Sequence, residues 1–587
     1  MSGKTLAFGE LSSALKRVVP LLAAAVTLLA CAQPPSSRDA AGPTSGGVQA
    51  PKTLHIGTGS AREPAALAEW GGSTPSSSSP LEHFHIFHAA LTMLDAEGNV
   101  VAHVAQKVPS MDDGDWHVLP GGGMEVTWKI RPGIVWHDGT PLVAEDFVFG
   151  YQVIKDPELA VENRAEIPNI SDVRAVDDHT LEVSWRTQTI RGNTNNGDGI
   201  PAVPRHLLRD LYLTGDKTAF TNSPVRNVQW VGVGPYRLDR WERGSLLEAA
   251  AFDRYFLGRP RIDRIVVHYL GDANAMVANV LAGSVDVITL GAQLDIGQVV
   301  VIREEWAAKG VPGLTLPVPK GVRGVYLQYR DPTAPWVQDL RVRQALIHGL
   351  DREEFVQTLG FGLTSVAHYY IMPNDPLHRL AEERGVPRYP YDPARAERLF
   401  AESGWTRGVD RLLRGSAGQT FPFELTASGG GDNVKEIEAL ANQWSMIGVQ
   451  ARPNPYPTGA ATDVAAERRA TPRGGVMWPW NFESGVARRL IAAEIGAPEN
   501  RYRGGNYGGF SSLTYEALYA DLTNTLDPAK YRETQFQMVK FMAEELPLLP
   551  VFYTPLGLVA RPGVEGPGLV SPLQPSNTWN IHAWDLR

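Results

Sequence analysis

The chain has 587 residues, 43% of them hydrophobic, which is enough for a large core and for two or three domains. The formal net charge of −9 at pH 7 arises without any long charged block, which argues against a nucleic-acid-binding surface. A single cysteine, Cys31, excludes a disulfide within the chain.

The N-terminal region has the layout of a secretory signal. Lys16 and Arg17 precede the apolar run 18–30, which is too short to span a bilayer comfortably. We therefore expect residues 1–30 to be a signal peptide. The run ends in LLAC, which resembles a bacterial lipobox. That resemblance implies cleavage before Cys31 and lipidation of its thiol. The alternative is an ordinary secreted protein with one incidental thiol.

The segment after Cys31, AQPPSSRDAAGPTSGGVQAP, is rich in Pro, Gly and Ser and nearly free of large apolar residues. Such a composition cannot bury enough surface to fold. We expect residues 31–51 to be a flexible tether, with the folded region beginning near Lys52. No further hydrophobic run of membrane-spanning length follows in the sequence.

The stretch VWHDGTPLVAEDFVFGY combines a histidine, three carboxylates and several aromatic residues. Alternating apolar residues predict a strand over 124–130, and a second short strand is predicted over 134–136. Thr140 is predicted to cap a helix that has Pro141 at its first position. His137 lies in the turn between strand and helix without any HExxH-type spacing. We therefore interpret it as scaffold rather than as a catalytic or metal-binding residue.

Five aspartates further along the chain predict helix N-termini ahead of apolar stripes at helical spacing. They are Asp272, Asp339, Asp351, Asp392 and Asp527. A further helix is predicted from the apolar face Val434 to Trp444. Strand-like runs follow three of the predicted helices, at 285–288, 449–452 and 548–552. Helices and strands that alternate in this way indicate layers of α and β structure.

Six segments, taken in order, carry a family resemblance. They are WKIRPGIVWHDGTPLVAEDFVFGY, GVGPYRLDRWERGSLLEAAAFDRYFLGRPRIDRI, DANAMVANVLAGSVDVI, DLRVRQALIHGLDREEFV, YDPARAERLFAESGW and ELPLLPVF. Together they resemble the extracytoplasmic solute-binding proteins of family 5, whose members serve ABC importers for peptides and nickel. The resemblance runs from about residue 53 to the end of the sequence.

The resemblance implies an α/β protein with the two-lobed periplasmic-binding-protein type II fold and an extra inserted domain. Lobe I would be discontinuous, comprising residues 52–89, 188–316 and 551–587. The inserted domain would comprise residues 90–187, and lobe II residues 317–550. The chain would cross between the lobes at Val325–Tyr329 and at Leu548–Phe552, and those crossings would form a hinge.

The function implied is the substrate-binding component of an ABC importer, which captures a peptide or related solute between its lobes. Its partners would be the ABC permease and ATPase complex and, through the lipid anchor, the membrane. The resemblance implies an extracytoplasmic monomer that needs no cofactor and performs no catalysis. The same fold binding an oligosaccharide, an opine or a nickel complex is the main alternative. A secreted hydrolase is disfavoured because the sequence has no GxSxG, P-loop or HExxH motif.

Candidate ligand-binding residues also follow from the resemblance. In peptide-binding relatives a lobe II tryptophan followed by an aspartate holds the amino terminus of the ligand. Here the matching segment, GVMWPWNFE, offers Trp478 and Trp480 but no aspartate. Asn481 or Glu483 is expected to substitute. This departure matters because an ammonium group in a closed cleft needs a compensating charge.

Two further pairs complete the candidate site. Asn506 and Tyr507 lie in a segment that resembles a loop closing over ligand. His83 and His85 belong to the run HFHIFH, which in relatives enters the core and cleft of the first lobe. We expect these histidines to line the cleft. A metal site is disfavoured because no cysteine is nearby and Glu82 is the only adjacent acid.

Overall fold

A computed structural model describes most of the chain after the predicted tether. The described residues are 50–59, 63–64, 67, 79–159, 167–197, 199–292, 294–457, 462–480, 487–502, 504–568, 570 and 576–587. Residues 51–587 form one compact unit. No helix within the described ranges is both long enough and apolar enough to cross a bilayer. The predicted signal peptide and Cys31 lie outside the described residues.

The described residues form twenty strands. In chain order they are β1 (Thr53–Gly59), β2 (Thr92–Leu94), β3 (Val100–Ala102), β4 (Trp116–Val118), β5 (Met124–Lys129), β6 (Ile170–Asp177), β7 (Thr180–Trp185), β8 (Tyr236–Glu242), β9 (Leu246–Ala251), β10 (Arg264–Leu270), β11 (Val287–Ile288), β12 (Leu314–Leu327), β13 (Thr406–Arg407), β14 (Leu413–Arg414), β15 (Pro422–Thr426), β16 (Gln450–Pro453), β17 (Gly474–Trp480), β18 (Leu548–Ala560), β19 (Val564–Glu565) and β20 (Asp585–Leu586).

The same residues form fifteen α-helices, besides short 3-10 turns. They are α1 (Ser79–Phe87), α2 (Ala144–Lys155), α3 (Arg205–Leu213), α4 (Lys217–Thr221), α5 (Ala273–Ala282), α6 (Ile296–Ala308), α7 (Pro335–Gln338), α8 (Leu340–His348), α9 (Arg352–Thr358), α10 (Pro376–Glu383), α11 (Pro393–Glu402), α12 (Gly431–Met446), α13 (Thr462–Ala470), α14 (Leu513–Asn524) and α15 (Pro528–Glu545). The alternation of helices and strands confirms the predicted α/β class.

Ten strands form one continuous sheet in the order β16-β15-β17-β12-β18-β11-β1-β10-β9-β8. The long antiparallel pair β12 and β18, which we call the central ribbon, stands in the middle of this sheet. On one side of it lies the first wing, strands β11, β1, β10, β9 and β8. On the other side lies the second wing, strands β17, β15 and β16.

The central ribbon is irregular near its midpoint. Its pairing shifts register between Pro319 and Gly321 and again between Arg323 and Gly324. Such irregularities bend a strand and increase its local twist. The two wings therefore share one sheet but leave the ribbon on opposite sides of a bent region.

The predicted aspartate caps are confirmed. Each of Asp272, Asp339, Asp351, Asp392 and Asp527 accepts a hydrogen bond from a backbone N–H in the first turn of its helix. Gly283 ends α5 with φ +82°, a conformation that a residue with a β-carbon adopts only at a cost. These local signals could be read from sequence because cap and first turn are adjacent in the chain.

The predicted helix cap at Thr140 is wrong, because α2 begins at Ala144 and its N-cap is Val143. The Thr140 carbonyl instead accepts a hydrogen bond from the Trp136 N–H at 2.8 Å, and the Leu142 N–H donates to the Ile134 carbonyl at 3.0 Å. These bonds hold the chain in a tight reversal rather than a helical turn. The predicted short strand 134–136 is likewise absent, reduced to a single bridge between Val135 and Pro141. The strand predicted over 124–130 is confirmed as β5.

A second sheet, ordered β4-β5-β7-β6, packs with α2 onto the first wing. Its buried side chains, including Trp128 and Trp136, belong to the same hydrophobic core as Leu54 and Val267 of the first wing. The second wing has a separate core on each face, since Met477 and Val476 of β17 point into different clusters. The domain boundaries implied by the family resemblance stay a prediction.

His137 fastens the turn before α2 to the segment that precedes β8. Its Nδ1 atom accepts from the Gly232 N–H at 3.2 Å, and its Nε2 atom donates to the Gly234 carbonyl at 3.1 Å. Burial lowers the pKa of His137 to about 4, so the ring is neutral near pH 7. The buried, fully bonded ring supports the scaffold interpretation.

We predict that His137→Ala lowers the free energy of unfolding by about 2–4 kcal/mol, because it leaves two buried backbone groups without partners. Denaturant unfolding measures this loss. The matched control is His117→Ala, since His117 is exposed on β4. Equal stabilities of the two variants would contradict the assignment, as would a selective loss of ligand binding at full stability.

Candidate ligand-binding groove

The two wings turn the carboxyl ends of their parallel strands toward each other. In the second wing β17 ends at Trp480, which pairs with Val322 of the ribbon, and Val322 pairs in turn with Tyr553. In the first wing β11 ends at Ile288, which pairs with Val559. The corresponding positions on β18, Tyr553 and Val559, are about 20 Å apart along the strand, at ~3.3 Å per residue. A groove with strand ends on both sides thus crosses the ribbon.

Ligands of open α/β sheets bind outside the carboxyl ends of the strands. The groove between the wings satisfies that rule twice, because β15 and β17 of the second wing are parallel, as are β1, β10 and β11 of the first. We take this groove as the candidate functional site.

The second wing contributes an aromatic cluster with an arginine above it. Trp478 meets Tyr507 edge to face, with ring centroids 5.6 Å apart, and Tyr507 also packs on Tyr326 at 5.4 Å. The guanidinium carbon of Arg469, at the end of α13, lies 5.0 Å from the Trp478 ring centroid and 5.6 Å from that of Tyr507. Cation–π attraction favours this placement.

Arg469 is only partly satisfied by the protein. Its Nε atom is buried and has no hydrogen-bond partner within the described part of the chain. A buried guanidinium donor without an acceptor is costly, so an acceptor from outside the protein would stabilise it. Arg469 was not among the residues predicted from sequence, because it meets Trp478 only through tertiary packing of α13 on β17.

Asn506 has a different environment from its neighbour Tyr507. It is fully buried, and its amide nitrogen donates to the carbonyls of Ile491 (3.1 Å) and Phe510 (2.7 Å). Its amide oxygen accepts from the Phe510 N–H at 3.1 Å. These bonds hold the loop that carries Tyr507. Of this predicted pair, Tyr507 is the one that packs against Trp478.

Trp480 ends β17, and its backbone pairs with that of Val322 in β12. Asn481 and Glu483 lie outside the described residues. Their predicted contact with ligand remains a prediction from the family resemblance.

The first wing places α1 against the turn that follows β11. Glu82 is buried, and its carboxylate accepts N–H bonds from Asn577 and Thr578, both at 3.2 Å, and from Gly291 at 3.4 Å. Burial raises the pKa of Glu82 to about 7 although these bonds oppose the shift. The cavity beside Glu82 and His83 measures ≈ 10 Å³, about the room of one water molecule.

The histidines of α1 are also buried. His83 Nε2 lies 2.8 Å from the Tyr269 hydroxyl, and His85 Nδ1 lies 2.9 Å from the Ser576 hydroxyl. His83 shares its small cavity with the end of β1, near the first-wing edge of the groove. Across the described ranges, no group of three or more His, Cys, Asp or Glu side chains is arranged to hold a metal ion.

The predicted site residues therefore divide between the wings. Trp478 and Tyr507 come together on the second wing, and His83 and His85 lie together on the first. Glu82, noted in the sequence only as the acid next to the histidines, proves to be the buried carboxylate at the first-wing edge. Its environment depends on residues nearly 500 positions away in sequence, such as Asn577.

Comparison with known proteins gives consistent results. Residues 108–481, more than half of the chain, match the family model for bacterial extracellular solute-binding proteins, family 5 Middle. The chain is 24% identical over 563 residues to the oligopeptide-binding protein AppA of Bacillus subtilis (strain 168), covering 94% of this chain and 96% of that protein.

Solved structures share the fold. An oligopeptide-binding protein from Thermus thermophilus, complexed with a pentapeptide, superposes with a TM-score of 0.66 at 22% identity, over 91% of this chain and 96% of that one. NikA from Brucella suis, in complex with Fe(III)-EDTA, gives a TM-score of 0.71 at 16% identity, over 91% and 100% of the two chains. At these identities the likeness establishes the architecture.

We predict a specific pH dependence for Glu82. Its pKa is raised in the folded protein, so its contribution to stability is fully present below the unfolded pKa of 4.5 and is lost as pH rises through about 7. Relative to wild type, Glu82→Gln should therefore gain about 1.4 kcal/mol in free energy of unfolding per pH unit between those values. Buried histidines contribute equally to both proteins and cancel in the difference.

The measurement is urea unfolding of both proteins at pH 4.5, 5.5, 6.5 and 7.5. Glu158→Gln is the matched control, since Glu158 is exposed. Parallel stability curves for wild type and Glu82→Gln would contradict the raised pKa.

Proposed function

This chain belongs to the bacterial extracellular solute-binding proteins of family 5, and from that premise we propose that it captures a peptide or related solute for import. The groove between the wings is the ligand site in this proposal. The first wing corresponds to lobe I and the second wing to lobe II. A bound solute bridges both, and closure around it presents a surface to an ABC permease.

The observation that carries the proposal is the facing of two sets of parallel-strand ends across a bent two-strand ribbon. A few ribbon residues can absorb the rotation that opens and closes such a groove. Nothing in this arrangement requires covalent chemistry. The free energy for closure comes from the higher affinity of the ligand for the closed state.

A peptide is the ligand we favour, because two of the relatives named above are oligopeptide-binding proteins, one of them complexed with a pentapeptide. An extended peptide can pair its backbone with exposed strand ends, while aromatic surfaces such as Trp478 and Tyr507 accept varied side chains. Arg469 is suited to a peptide carboxylate because its Nε atom lacks an acceptor within the described residues.

The experiment that tests this function is native mass spectrometry of the soluble form beginning at Ala32, followed by denaturation and identification of released molecules. Closed binding proteins release ligand slowly, so we expect a spread of short peptides to survive purification. A single sugar-like or metal-complex mass would contradict the peptide ligand while leaving the transport role in place. An empty protein would be assayed by tryptophan fluorescence with peptide, oligosaccharide and nickel panels.

We predict that Trp478→Ala weakens binding of random-sequence pentapeptides at least ten-fold, because it removes the surface under Arg469 and Tyr507. Calorimetric titration measures the affinity. The control is Trp405→Ala, a partly buried tryptophan that packs on Phe421 in a core of the second wing. Equal peptide affinities of the two variants would show that Trp478 is not part of the binding site. Pentapeptides with acetylated amino termini would show whether a free amine is needed.

The proposed location is the outer face of a bacterial membrane, to which the chain is anchored by lipid on Cys31. We predict that Cys31→Ser moves the protein from the membrane to the soluble fraction, because the lipidated thiol is lost. Cell fractionation and incorporation of labelled fatty acid measure this change. Ser36→Ala, in the same tether, is the control. Retention of Cys31→Ser in the membrane fraction would contradict lipidation.

A further inference from the structure

A separate cavity lies on the outer edge of the second-wing half of the ribbon. It measures ≈ 480 Å³, within the range of small-molecule sites. Its walls come from the start of α9, the segment 365–373, α10, the segment 388–391 and β18. They include Arg352, Ser365, His368, Arg388, Tyr391 and Tyr553.

This cavity lies on the opposite side of the ribbon from the aromatic cluster. Val366 forms a bridge with Phe552, and the Ala367 N–H donates to the Val551 carbonyl at 3.1 Å. In that region β18 pairs with β12 along its other edge, and Trp478 stands on β17, beyond β12. The cavity therefore lies beyond the opposite edge of the ribbon from Trp478, although its lining residue Tyr553 stands at the level of the ribbon where β17 ends.

Arg352 is a buried cation at the wall of this cavity. Its Nη1 atom donates to the carbonyls of Ala367 (2.7 Å) and Pro550 (3.1 Å), and its Nη2 atom donates to the carbonyl of Tyr389. Within the described residues no carboxylate forms an ion pair with it. The Arg352 side chain is buried, and this burial lowers its pKa to about 10. Carbonyl dipoles alone offset a buried charge incompletely.

His368 adds a second unsatisfied group. Its Nδ1 atom is buried and has no hydrogen-bond partner in the part of the chain that the structure describes. Burial, together with the charges of Arg352 and Arg388, lowers the pKa of His368 to about 4. The ring is therefore neutral near pH 7, and it forms part of the cavity wall.

Two acids, Glu353 and Glu382, also line the cavity, and within the described residues neither forms an ion pair with Arg352. Glu382 is paired with Arg388, and Glu353 accepts a hydrogen bond from Gln357 at 3.0 Å. The positive charge of Arg352 is therefore left without a counter-ion from the described lining residues.

We propose that this cavity is a second binding site, which takes an oxyanion group, carboxylate or phosphate, carried by a small solute. Arg352 supplies the counter-charge, and the neutral His368 ring and the Ser365 hydroxyl complete the polar part of the wall. The volume leaves room for an organic body beside Tyr391 and Tyr553. This site is independent of the solute held in the groove.

The first test is calorimetric titration of the purified chain at pH 7 and low ionic strength with benzoate, inorganic phosphate and benzamide. We expect benzoate or phosphate to bind, and the anion that binds identifies the group preferred. Benzamide has the shape of benzoate without its charge, so it should bind at least ten-fold more weakly. Equal binding of benzamide, or binding of neither anion, would overturn the proposal.

The second test places a fixed carboxylate in the cavity. Ser365→Glu, at an exposed position, should weaken anion binding at least ten-fold because the new carboxylate occupies the site. Ser416→Glu makes the same change in an exposed turn after β14 and should leave the affinity unchanged. Equal affinities of the two variants would contradict the site. Anion binding lost in Trp478→Ala but kept in Ser365→Glu would place the probes in the groove and also contradict it.

Discussion

The pairing of β12 with β18 is the constraint on which the rest of the structure depends. The two strands are far apart in sequence, yet each runs through both halves of the sheet. β12 pairs with β17 of the second wing, and β18 pairs with β11 of the first wing. Two arginines secure the second-wing half: Arg323 pairs with Glu436, and Arg352 binds the Pro550 carbonyl. The irregularity between Pro319 and Gly321 falls between the wings, so bending there can move one wing relative to the other without breaking either core.

The two edges of the groove differ in charge. On the first wing, burial raises the pKa of Glu82 to about 7, so this carboxyl is only partly ionised close to neutral pH. On the second wing, the guanidinium of Arg469 lies over the rings of Trp478 and Tyr507. The described part of the groove therefore favours a negatively charged or electron-rich group at the second wing. This polarity is consistent with a chain whose matching segment lacks an aspartate for binding an ammonium group.

The sequence predicted those structural features that depend on residues close together in the chain. Asp272, Asp351 and Asp392 cap helices as expected, because a cap and its first turn lie within three residues of each other. The helix cap predicted at Thr140 was wrong because the chain reversal around Trp136 overrides the local preference for a helix start. Local patterns indicated α/β layers, and the order of six segments, compared with a known family, added the prediction of a two-lobed binding-protein fold.

The candidate site was only partly accessible to such reasoning. Trp478 was predicted because it lies in a segment that resembles a known binding strand. Arg469 lies on α13, and nothing in the sequence indicates that this helix contacts Trp478. Asn506 and Tyr507 are neighbours in sequence. The Asn506 side chain forms hydrogen bonds to the backbone of its own loop, whereas Tyr507 packs in the aromatic cluster. Adjacent residues in an irregular loop point in unrelated directions, because no periodicity fixes their faces. The chemistry of this groove is therefore decided by tertiary contacts across the second wing, and those contacts also determine which residues can meet a ligand.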